Sequence, residues 1–149
     1  MKPDLPIVMS GFFGTMLSQI APHLNAEYST GSLGVMSMML LLSGQEYERA
    51  AEVRVADNAE MRALFADAAK LVGDEGLKAR LSEAAGTKDR SLLISVLDED
   101  HSALSAVLIE LQTYVEESTA PWAVGLEERI WDHLLAATER RRLDLPAIG

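Results

Sequence analysis

The sequence predicts an all-α fold: a single-domain bundle of five or six helices over residues 1–149, with a buried Met- and Leu-rich central helix. Three observations predict it. Apolar residues recur at three- and four-residue spacing along nearly every segment, and no stretch alternates apolar and polar residues for long enough to make a strand. The chain has 149 residues, 48% hydrophobic and 24% charged, which is ordinary usage for one domain large enough to bury a core. Val53 and Val55 are the nearest approach to a strand pattern, but their Glu, Arg and Ala neighbours are good helix formers.

The first helix is expected from about Ser10, as N-cap, with Phe13, Leu17, Ile20 and Leu24 on one face and Pro22 kinking or restarting it. The second carries Val35, Met36, Met38, Met39, Leu40, Leu41 and Leu42 on all sides, so it is expected at the centre of the bundle, with Gly44 marking a break or a tight crossing. Asp57 and Glu60 have capping-box spacing and predict a fresh helix there, its face running from Met61 through Leu64, Phe65 and Ala68 to a stop at Gly73. A short helix capped by Asp74 and closed by Gly86 follows. The longest pattern begins near Thr87 to Asp89 and runs to about Glu117. The last helix opens at Ser118 to Pro121 and ends in Arg140, Arg141 and Arg142, where cations complement the helix dipole, before Pro146.

Composition narrows the function classes. The chain has no cysteine, which removes disulfides, thiolate nucleophiles and Cys-type metal sites and fits a reducing compartment, so a cytoplasmic location is expected. A net charge of −10 argues against nucleic acid and anionic membrane surfaces as partners. The longest apolar run, Leu33 to Leu42, is about half of the roughly 20 residues a membrane span needs, so no membrane partner is expected. Phosphate loops, nucleophile elbows and HExxH pairs are absent from the sequence.

Two constellations remain. If one helix continues from Tyr47 to Phe65, Arg54 and Asn58 fall on its apolar face, and a guanidinium there requires an acid: Asp57, or Glu27 or Asp100 from elsewhere. Arg54, Asp57 and Asn58 are therefore the candidate ligand-binding residues. The second is a metal set of His23, Glu27, Asp98, His101 and His133, neutral imidazoles and carboxylates supplied by several helices, which would suit iron, zinc or manganese. It departs from a ferritin-like di-iron pattern, which needs two Glu-x-x-His pairs, because only Asp98-x-x-His101 occurs and Ile130 stands three residues before His133. The blander reading hydrogen-bonds each histidine to a neighbouring carboxylate, and no cofactor is then expected. An all-round apolar helix, the methionine stripe and Trp122 and Trp131 point to a non-enzymatic homo-oligomer or to a surface for an apolar ligand or partner helix. A metal-binding bundle or oxidoreductase is the alternative.

Overall fold

The computed structural model describes residues 3–145. Among them are five α-helices and no strand: α1 (Leu5–Thr15), α2 (Glu27–Ala68), α3 (Glu75–Ala85), α4 (Ile94–Glu116) and α5 (Ala123–Arg140). Backbone contacts group these residues into two units. One holds the described residues up to Ala50 together with Leu143, Asp144 and Leu145; the other is Ala51–Arg142. Helix α2 runs through both.

The Ala51–Arg142 unit has the apolar core. Met61, Leu64, Phe65 and Ala68 of α2, Leu77 and Leu81 of α3, Leu104, Leu108, Leu111 and Val115 of α4, and Leu126 and Ile130 of α5 are all buried in one cluster. Each helix buries the face its 3.6-residue period selects. Asp74 caps α3, accepting the Leu77 backbone N–H at 2.6 Å, and Gly86 follows the last turn. Helix α4 starts at Ile94, later than the pattern near Thr87 predicts. The reason is that Asp89 and Arg90 are engaged elsewhere: the Arg90 backbone N–H and Nε both donate to Asp100, at 3.0 and 2.6 Å, which folds the connection back on the first turns of α4. Trp122 precedes α5 and stacks on Tyr114, centroids 6.2 Å apart, whereas Trp131 is half exposed.

The N-terminal unit corrects several expectations. Helix α1 begins after Asp4, with Pro6 in its first turn where a missing N–H costs nothing; Ser10 lies inside it. Pro22 does not restart an α-helix. Its ring conflicts with the carbonyl four residues back, and the chain widens to a π-turn over Met16–Ile20, then tightens to a 3₁₀ turn over Ala21–His23. Gly44 marks a close crossing and no break: a Cβ there would sit 3.1 Å from the Met9 Cβ. Gln45 holds the segment after α5 through a two-way amide pair with the Asp144 backbone, 2.7 and 2.8 Å. The expected stop at Pro146 lies outside the described residues.

The Met- and Leu-rich stretch of α2 is not a buried central helix. Val35, Met36 and Met39 are each more than half exposed, Ser37 is buried, and α1 has no buried residue. Among the described residues, one stretch, Leu5–His23, is long and apolar enough to cross a membrane by length and composition, with 19 residues and a mean hydropathy of 1.2.

If the core lies where these burials put it, Phe65→Ala costs about 3–5 kcal/mol. Leu92→Ala, at an exposed leucine, changes stability by less than about 0.5 kcal/mol. Paired denaturant melts measure both, and similar losses at the two positions would contradict the assignment.

Candidate functional site: a relay around a buried carboxylate

Asp57 and Glu60 are not a capping box. Helix α2 passes through them unbroken, which turns both carboxylates, one turn apart, toward the end of α5. Asp57 has no exposed surface. Its Oδ1 accepts from Arg140 Nε at 2.8 Å, and its Oδ2 forms an ion pair with Arg141 Nη1. The other side of the Arg140 guanidinium donates to Glu60, from Nη1 to Oε1 at 2.7 Å and from Nη2 to Oε2. Glu60 Oε2 also accepts from His133 Nδ1 at 3.1 Å. The basic cluster was expected to complement a dipole; Arg140 and Arg141 are instead the counter-charges of the acids on α2.

The neighbouring residue extends the chain of bonds. Asn58, also without exposed surface, donates from Nδ2 to Asp89 Oδ1 at 2.9 Å. Because Asp89 can only accept, the amide orientation is fixed, and Asn58 Oδ1 faces His101 Nδ1 at 2.9 Å. An amide oxygen also only accepts, so Nδ1 carries the proton and Nε2 is the lone-pair nitrogen. Arg141 Nη2 lies 3.4 Å from that Nε2. The result is a continuous relay from Asp89 through Asn58, His101, Arg141, Asp57, Arg140 and Glu60 to His133. Arg62 anchors its outer end, donating to Asp89 at 2.7 Å and to Thr87 Oγ1 at 3.0 Å.

Two protonation equilibria follow from this arrangement. Burial lowers the His101 pKa below its ordinary value, and the Arg141 charge adds to that effect; Asp57 and Asp98 oppose it. The hydrogen bond from Arg140 lowers the pKa of Glu60, with burial opposing and His133 assisting. The chemistry of the site is therefore that of a lock. The relay ties α2, α4, α5 and the α3–α4 connection at one level, Arg141 also donates to the Ala137 carbonyl, and burial beside Arg141 favours the neutral imidazole of His101.

The candidate residues from the sequence are distributed over different partners. Arg54 is four-fifths buried, and its Nε pairs with Asp98 at 2.5 Å, an acid not among the partners expected for it. Asp57 and Asn58 belong to the relay. In the metal set, Asp98 pairs with Arg54, His101 with Asn58 and His133 with Glu60. His23 is exposed in the N-terminal unit, and the side chain of Glu27 lies outside the described residues. Among the described residues no group of three or more His, Asp or Glu side chains is placed to hold a metal ion. Glu60, Asp89, Arg140 and Arg141 were missed as site residues. Their signal was an Asp-Asn-x-Glu run in mid-helix, where only a polar partner explains such residues.

Two outcomes test the lock. Asp57→Asn leaves two arginines that can still reach water, costing about 1–3 kcal/mol, whereas Arg140→Met with Arg141→Met strands a wholly buried carboxylate and costs more, about 3–5 kcal/mol. The reverse order in urea melts would contradict the geometry. For pH, a histidine with a lowered folded pKa gives stability that is complete above its unfolded value of about 6.5 and is lost as pH falls through the folded value. Glu60 adds a second loss, below its ordinary value of 4.5. Glutamine at position 101 can make the same donor and acceptor bonds without titrating. His101→Gln therefore flattens the stability curve as pH falls below about 6.5, and a curve parallel to the wild type would refute the assignment.

No family model, curated protein or solved structure matches the chain, so its functional reading rests on the geometry of its own residues.

Proposed function

We propose that the chain is a non-enzymatic, self-associating helical module acting in the cytoplasm, and that the apolar surface of its N-terminal unit is the contact between copies. One observation carries this reading: Ile7, Phe12, Tyr28, Val35, Met36 and Met39 are each more than half exposed. Large apolar side chains gathered in one short region are a mark of an interaction surface. Charge favours a second copy as the occupant. Of the 36 Lys, Arg, Asp and Glu residues, only Glu27 falls between Leu5 and Gln45. Two copies of net charge −10 repel each other wherever those charges meet, and this region is where they do not. Backbone can also approach closely there, since a Cβ at Gly11, Gly14, Gly31 or Gly34 would meet nothing within 4 Å. The cytoplasmic part rests on the cysteine-free composition.

Sedimentation of the full chain at micromolar concentration, without detergent, is expected to give a dimer or larger species. Val35→Glu with Met39→Glu should give a monomer with unchanged helical circular dichroism. A monomeric wild type would overturn the proposal. So would a wild type that needs detergent or co-sediments with phosphatidylcholine vesicles, which would assign the same surface to lipid.

A further inference from the structure

Independent of that surface, the Ala51–Arg142 unit holds a cavity of about 450 Å³ between α3 and α4, a size typical of small-molecule sites. Its chemistry is two-sided. Ala84, Ala103, Leu104 and Val107 supply an apolar wall, and the rest of the lining includes Arg62, Arg80, Lys88 and Arg90 together with Glu83 and Asp100.

The cations differ in availability. Arg62 is bonded to Asp89, Arg80 to Glu110, and Arg90 to Asp100 and Glu99. Those pairs hold the guanidiniums in place around the opening. Lys88 pairs with no carboxylate among the described residues, so an arriving anion meets an ammonium without first breaking an ion pair. Glu83, unpaired by any cation among the described residues, limits the charge that is welcome: one negative charge is attracted by Lys88, and a second would be repelled by that acid. A neutral apolar molecule would leave Lys88 unused.

We infer that this cavity binds an amphiphilic monoanion, a carboxylate with a medium-length aliphatic tail, its head on Lys88 and the arginine rim and its tail against Leu104 and Val107. The site uses none of the relay residues, but it reaches them through Arg62, whose partner Asp89 also holds Asn58.

Calorimetric titration of the full chain with sodium octanoate tests this. Saturable one-to-one binding is expected, weakened at least about tenfold by Lys88→Glu and lost in Ala103→Trp, which fills the cavity from an exposed position on α4. Octan-1-ol, with the same tail and no charge, should bind at least about tenfold more weakly than octanoate. The inference is overturned by the absence of saturable heat, by undiminished binding in Lys88→Glu, or by equal affinity for the alcohol. Binding retained in Ala103→Trp would also overturn it, because the ligand would then sit elsewhere on the chain.

Discussion

The carboxylate of Asp57 is enclosed in the middle of a 42-residue helix, and a buried charge without counter-charge costs several kcal/mol. Its ion pairs with Arg140 and Arg141 are the constraint on which the Ala51–Arg142 unit depends. They fix where α5 ends, because its last turn must present two guanidiniums at the height of Asp57. They also fix the rotation of α2 about its axis, since Glu60 must meet the same Arg140 one turn later. With α2 so turned, Met61, Leu64 and Phe65 point into the core, so apolar packing and polar pairing agree on one register.

The relay beyond Asp57 shows how a polar network acquires direction. Aspartate can only accept, so Asp89 orients the Asn58 amide; the amide oxygen can only accept, so it sets the His101 tautomer; the free lone pair on Nε2 then suits Arg141. Each step is forced by donor and acceptor inventory. Networks of this kind are strong when complete and costly when one member is lost.

Much of this was legible in the sequence, and the failures have physical causes. The inward faces of α3, α4 and α5 follow directly from apolar spacing, as do the Asp74 cap and the need of Arg54 for an acid. The identity of that acid was not legible, because Asp98 lies 44 residues away and periodicity says nothing about the height at which two helices meet. Asp57 and Glu60 misled for a related reason: their spacing fits a capping box and equally fits two acids on one face of a continuing helix, and only the arginines of α5 decide between them. The Met-rich stretch was read as core on the assumption that apolar residues find a partner within the chain. Val35, Met36 and Met39 show that assumption failing.

The relay claims that His101 is neutral with its proton on Nδ1, which is a sharper statement than burial or stability provides. The most direct test is a long-range ¹⁵N–¹H correlation spectrum of the imidazoles of the full chain at neutral pH. A protonated Nδ1 with a bare Nε2 at His101, shifting together when Asn58 is replaced by Asp, is the result the account predicts. A proton on Nε2, or an imidazolium, would break the chain between Asn58 and Arg141 and contradict it.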